Sequence, residues 1–208
     1  MRFLMTQSLL SSWKYQFNDF SKYDDREEEF EENAHKSFLQ TLRREPIETS
    51  EAMQNGIDFE NLVVDICKGT PGLQSHDWYN AASEVAEIVK GSQFQYAAKK
   101  EVTIGGIDFL LYGKLDSLKA GIVNDIKFTR NYAVGKFFDS PQHPMYMECV
   151  PEATAFNYVV SNGKRIWQET YRRDECRPIR EIIEEFIGYL KTSGLYEIYT
   201  ANWKARGD

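Results

Sequence analysis

The stretch Tyr112–Thr129, YGKLDSLKAGIVNDIKFT, limits the fold more than any other part of the chain. Two runs rich in Leu, Ile, Val, Tyr and Phe flank Ala120-Gly121, which predicts a β-hairpin with a two-residue turn. Counting outward from that turn sets Lys119 against Ile122, Ser117 against Asn124 and Asp116 against Asp125. Strand side chains alternate between faces. Tyr112, Lys114 and Asp116 therefore share one face with Asp125 and Lys127, while Leu111, Gly113, Leu115, Ile126 and Phe128 form an apolar face.

Opposed residues on such a pair have Cβ atoms roughly 4.5–5.5 Å apart. Two carboxylates about 5 Å apart at an effective dielectric near 20 repel by about 3 kcal/mol. A divalent cation removes that cost, and all-oxygen coordination selects a hard ion, Mg2+ or Mn2+, over zinc. Lys127 then stands where an attacking water or a developing negative charge can use an ammonium. The same pattern also suits a solvated hairpin face on which Lys114 and Lys127 offset the acids. Asp108 shares this face but lies more than roughly 25 Å from Asp116 along an ideal strand, which excludes it.

Asp116 followed by Asp125-Ile126-Lys127 resembles the D…(D/E)-x-K signature of the PD-(D/E)XK nuclease superfamily, in particular its RecB-like exonuclease branch. Three further segments resemble motifs of that branch in the right order: Gly56-Ile57-Asp58-Phe59-Glu60, Gly113-Lys114-Leu115-Asp116 and Gln142-His143-Pro144-Met145-Tyr146. The resemblance spans roughly Ser50 to Arg172. It implies a restriction-endonuclease-like core and metal-dependent cleavage of DNA phosphodiesters. By the same resemblance Glu60, Asp116, Asp125 and the backbone of Ile126 hold the ion. Lys127 assists catalysis, and Gln142 and Tyr146 line the cleft with Arg130 and Lys114 as substrate contacts. Glu60 stands where this branch often has His. The four-cysteine cluster of some relatives is not expected, because Cys67, Cys149 and Cys176 are three and scattered.

At 208 residues, 42% hydrophobic and 14% aromatic, the chain can bury one good core. One domain is expected, with N-terminal helices over 1–45, a catalytic core over 50–172 and C-terminal helices over 177–208. No run reaches the roughly 18–20 apolar residues of a membrane span, and the opening MRFLMTQSLLSSWK lacks a signal-peptide core. A cytoplasmic location with reduced thiols follows as the expectation. The formal net charge of −7 argues against a protein that merely coats nucleic acid. Much of the acid lies in DDREEEFEE, residues 24–32, whereas Lys99, Lys100, Lys114, Lys127, Arg130, Lys136, Lys164, Arg165, Arg172 and Arg173 crowd the middle and later chain, where a local basic groove can form.

Met1 to Phe17 reads as a short amphipathic helix and Asp24 to Leu42 as a solvated acidic helix. Thr49 or Ser50 caps a helix to Cys67, whose apolar stripe carries Glu60 on its flank. A helix over Asp77–Lys90 and a meander of strands, Phe94–Ile104 and Ile107–Leu118, lead into the hairpin. His76 is a surface or capping residue. In the loop Thr129–Pro141, Arg130, Asn131, Tyr132 and Lys136 can bind phosphate or a base, or Phe137 and Phe138 can simply anchor it. Gln142 and Tyr146 share one helix face. Asn162-Gly163 turns a further hairpin, Ile179 to Leu190 forms a helix after Pro178, and Leu195–Trp203 packs outside.

The expected molecule is thus an α/β protein with a mostly antiparallel meander. Its expected activity is a Mg2+- or Mn2+-dependent deoxyribonuclease, an exonuclease by its motif set. Its expected partners are DNA and, from the processes that use this branch, a repair or recombination protein. The alternative is a nucleic-acid-binding or interaction module on the same fold, without turnover.

Overall fold

In the computed structural model, residues 1–21 and 26–205 are described. They build a mixed six-stranded sheet with helices on both faces, an α/β architecture. The strands are β1 (Arg2–Thr6), β2 (Gln93–Ile104), β3 (Ile107–Lys119), β4 (Ile122–Phe128), β5 (Ala155–Ser161) and β6 (Ile166–Arg172). The helices are α1 (Gln7–Tyr15), α2 (Glu27–Arg43), α3 (Glu51–Cys67), α4 (Tyr79–Val89), α5 (Gln142–Cys149), α6 (Ile179–Thr192) and α7 (Tyr196–Asn202). Residues 24 and 25, which open the expected acidic helix, lie outside the described residues.

The turn at Ala120-Gly121 forms with both residues in the left-handed region, φ 48° and 76°, the backbone that a two-residue hairpin turn requires. Lys119 pairs with Ile122 and Ser117 with Asn124 in the expected register. The ladder stops there, so Asp116 and Asp125 are not a backbone pair. The cause lies in the strands around β3. One edge of β3 is filled by antiparallel β2 except at Asp116, opposite Gln95. The other edge is shared: parallel β1 pairs with Asp108–Tyr112 and β4 with Ser117–Lys119. Between them the sheet forks, and Asp116 sits in the fork.

The expected single oily face is also corrected. Leu111 and Leu115 join the larger core cluster with α1, α2, α5, α6 and α7, whereas Ile126 joins a second cluster with α3 and α4, and Phe128 packs against it. A break in the β2–β3 ladder accompanies this. The ladder runs from Phe94↔Ser117 to Tyr96↔Leu115 without a change of register and skips both Gln95, whose φ is 54°, and Asp116 opposite it. A residue at positive φ leaves the extended conformation, and strict alternation fails there. Phe94 accordingly packs against the second cluster and Tyr96 against the first.

The meander is less antiparallel than expected, because β1 and β4 each have a parallel partner, β3 and β5. The link from β4 to β5 passes through α5, whose last carbonyls are capped by Arg173: its guanidinium donates to the oxygens of Met147 (2.7 Å), Val150 (2.8 Å) and Ala153 (2.8 Å). The N-terminal segment begins as a strand, not a helix; Phe3 and Met5 alternate inward and the Thr6 hydroxyl caps α1. The C-terminal helix is inside rather than outside. Tyr199 is buried, its hydroxyl donates to Leu4 O (3.0 Å), and Trp203 Nε1 donates to Leu42 O (2.8 Å). At the last hairpin the loop is four residues long, with Asn162 Oδ1 accepting from Lys164 N (3.0 Å) and Arg165 N (2.9 Å).

Candidate active site

Three elements deliver the acids. The Ser50 hydroxyl accepts from Met53 N (3.2 Å) and starts α3, which buries Phe59, Leu62 and Val63 and leaves Glu60 half-buried on the flank. β3 brings half-buried Asp116 to the fork, and β4 brings Asp125, only 2% exposed. Asp116 Oδ2 accepts the Ile126 backbone N–H (2.8 Å), a bond that replaces the missing rung between the splayed strands. Lys127 Nζ lies 2.7 Å from Asp125 Oδ2.

Helix α5 closes the centre, and here two of the motifs meet. Gln142 Nε2 donates to Asp125 Oδ1, and the Tyr146 hydroxyl donates to Lys114 O (3.1 Å), a carbonyl within the fork. The Tyr146 ring rests on Gly113: a Cβ there would stand 2.1 Å from Tyr146 Cε1. Gly113 is thus demanded by packing. Gly56 is not, since nothing lies within 4 Å of where its Cβ would be.

The electrostatics are those of a crowded anionic site. Burial pushes the Asp116 carboxyl well above the usual range, with the charges of Asp125 and Glu60 adding to it and Lys127 opposing. Glu60 is raised by burial and then by Asp125. Burial would lower Lys127, but Asp125 and Asp116 outweigh it and the ammonium is held above its ordinary value. The four predicted groups therefore interact in one place.

The ligand places are already engaged by the chain. Gln95, opposite Asp116 on β2, donates to Glu60 Oε1, Ile126 N to Asp116, and Gln142 to Asp125. Among the described residues no three His, Cys, Asp or Glu side chains converge closely enough to hold a metal ion. Two features nonetheless fit the hard divalent ion that the resemblance implies. Its donors are all oxygens, and the buried Asp125 Oδ2 already takes up positive charge there, from the Lys127 ammonium 2.7 Å away.

The other predicted residues divide. Lys114 is exposed beside Glu60, whose acidity it affects. Arg130 ion-pairs with Glu51 (3.0 Å). Phe137 stacks on Tyr158 with ring centroids 4.3 Å apart and anchors the loop, whereas Phe138 is exposed. His143 is buried, stacks on Tyr171, and is pushed down by burial to about 4, which makes it a neutral packing residue. Asp108 accepts from Thr103 Oγ1 (2.8 Å) and His76 Nδ1 from Trp78 N (3.1 Å), local roles both. Gln95 is the residue that sequence reasoning missed, because nothing in the sequence marks a strand residue other than glycine that takes a positive φ.

The fold is similar to that in the crystal structure of SSO0001. The two share 14% sequence identity with a TM-score of 0.53, and the match covers 92% of this chain and 78% of that one. No family model matches the chain, and no curated protein matches it.

Proposed function

We propose that the chain is a divalent-cation-dependent deoxyribonuclease on a restriction-endonuclease-like core, acting as an exonuclease. The observation that carries this reading is the meeting of Glu60, Asp116, Asp125 and Lys127, from three separate elements, in one electrostatic neighbourhood. Gln142 and Tyr146 bind the same strands from a fourth element. Acids crowded against their own repulsion beside a lysine are a pattern of functional sites.

Glu60, Asp116, Asp125 and the Ile126 carbonyl would hold a magnesium or manganese ion. Such an ion supplies positive charge at the scissile phosphate and acidity to a coordinated water. Gln142 fixes the rotamer of Asp125, and Tyr146 fixes the backbone that carries Asp116. Lys127 presents its ammonium to the charge that develops on the phosphate oxygens.

Release of labelled nucleotide from linear DNA, with magnesium, manganese or chelator, tests the reading. Activity should need the ion, and Asp125→Asn should lower it by at least about 100-fold. Equal activity in wild type and variant would refute it. Digestion of linear but not circular DNA separates exonuclease from endonuclease action.

One observation favours a second reading, a binding module without turnover: each acid already has an internal donor and no three-group ligand set converges. Such a module binds DNA equally with and without divalent ions. Metal titration, followed by the thermal midpoint, therefore discriminates the two.

A further inference from the structure

Among the described residues only Gln95 takes a positive φ, 54°, inside a strand; Arg44 ends a helix and Ala120 sits in a turn. It faces Asp116 across the gap in the β2–β3 ladder, and its Nε2 donates to Glu60 Oε1 on α3. We infer that Gln95 is a positioning residue for the divalent ion, holding Glu60 by one carboxylate oxygen so that the other is ready as a ligand. The inference rests on the ion-dependent reading above. Gln95 acts through Glu60.

The backbone gives the first argument. Residues two apart on a strand ordinarily share a face, yet Phe94 packs against the cluster of α3 and α4 and Tyr96 against the larger one. The departure from extended backbone at Gln95 separates them. Glycine meets a positive φ at no steric cost, whereas a residue with a Cβ is strained there. Glutamine in this place adds what glycine lacks, an amide long enough to reach α3.

The carboxylate gives the second. Glu60 is half-buried on the flank of α3, and its long side chain has rotamer freedom to lose before it serves as a ligand. The amide removes that freedom through Oε1. Among the described residues no donor reaches Oε2, so one oxygen stays open to a cation. Carboxylates that hold metal ions are themselves oriented by such hydrogen bonds, and loss of the partner costs roughly 10–100-fold in affinity. Position gives the third. Asp116 has no ladder partner on either side, because β4 leaves it at the fork and β2 passes it at Gln95. The interruption that brings Gln95 to Glu60 is thus the one that leaves Asp116 outside the ladder. Gln95 is exposed, so water competes for its amide and the bond adds little to stability. Its removal should show in ion binding and not in the fold.

Titration of the protein with manganese, followed by loss of the electron paramagnetic resonance signal of the free ion, measures affinity without DNA or turnover. Gln95→Met keeps the length of the side chain and removes the donor. It should weaken manganese binding by at least about tenfold, while its Tm in chelator stays within about 4 °C of wild type. Gln95→Gly, whose backbone suits the positive φ, should weaken binding as much and melt no lower than Gln95→Met. In a Glu60→Gln background, adding Gln95→Met should change affinity by less than about twofold, because nothing is left for the amide to position. Unchanged binding in a folded Gln95→Met overturns the inference alone, and so does tighter binding, which would mean that the amide competes with the ion for Glu60. A full tenfold loss in the Glu60→Gln background overturns it as well, since Gln95 would then act elsewhere. If the wild-type protein takes up no manganese, the ion-dependent reading fails and this inference falls with it.

Discussion

Two partly buried carboxylates in this molecule have opposite fates. Glu169, on β6, accepts from the Tyr132 hydroxyl (2.6 Å), the Tyr171 hydroxyl, Gly135 N (3.2 Å) and Phe137 N (3.3 Å). Burial alone would raise its pKa, but those donors outweigh it and hold it below the usual value. Asp116, in the fork, has one backbone donor, two neighbouring acids, and a pKa pushed well up. The first acid is satisfied and organises a loop. The second is left short of positive charge, and a carboxylate in that condition is stabilised by whatever cation or proton arrives.

The largest expected effect breaks the satisfied side. Glu169→Ala strands several donors at once and should cost at least about 1.5–3 kcal/mol, seen as a Tm fall of about 2–4 °C per kcal/mol. An unchanged Tm would mean that Phe137 on Tyr158 holds the loop unaided. The two acids also differ in pH dependence. The stabilisation from Glu169 is complete above the unfolded value, near 4.5, and is lost as pH falls through its lower folded value. Asp116 has the opposite sign: its folded value is raised, so its repulsion is relieved as pH falls through that value. Urea unfolding of wild type and Glu169→Gln across that acid range should show a shallower loss of stability in the variant.

Next in size is a steric test of the fork. Gly113→Ala would place a methyl 2.1 Å from a Tyr146 ring atom whose hydroxyl is tied to Lys114 O. Overpacking of this kind costs about 1–3 kcal/mol. Combining it with Tyr146→Leu, which removes the ring, should recover most of that loss. Failure to recover would show that Gly113 serves the backbone of β3 and not the contact with α5.

Much of the centre was legible because it is local. The Ala120-Gly121 turn sets the register of Ser117 with Asn124 by counting, and Ser50 marks the start of α3 by its hydroxyl. The resemblance supplied Glu60, Gln142 and Tyr146, and all three are bound to the strands of the centre or to Gln95 beside them. What was not legible depends on distant chain. The fork needs β1, whose five residues look like the start of a helix because Leu4 interrupts the alternation of Phe3 and Met5. Gln95 interrupts β2 at positive φ, a conformation that the sequence announces only when glycine occupies it. The Glu169 network joins residues 32 to 37 positions apart, and no local pattern reports such a meeting.

The unsatisfied side is sharpened by Asp116→Asn. Asparagine keeps an oxygen for Ile126 N but removes one of three mutually repelling charges. In chelator its Tm should exceed that of wild type by about 2–4 °C, the shift that about 1 kcal/mol produces in a chain of this size. Magnesium or manganese should raise the wild-type Tm and leave the variant's nearly unchanged, since only an ion that binds the folded state stabilises it. A variant less stable than wild type without ions would mean that the Asp116 charge is satisfied after all.

The smallest effect concerns Gly56. A glycine inside a helix costs about 0.5–1 kcal/mol relative to alanine, and at Gly56 no neighbour within 4 Å requires its smallness. Gly56→Ala should therefore raise Tm by about 2 °C. Because Gly56 stands one turn before Glu60 on α3, the open space beside it is at the approach to the acids. If that space receives substrate, the stabilised variant should bind labelled DNA more weakly although it contacts no charge. A gain in stability with unchanged binding would place the path of the polymer on the other side of α3.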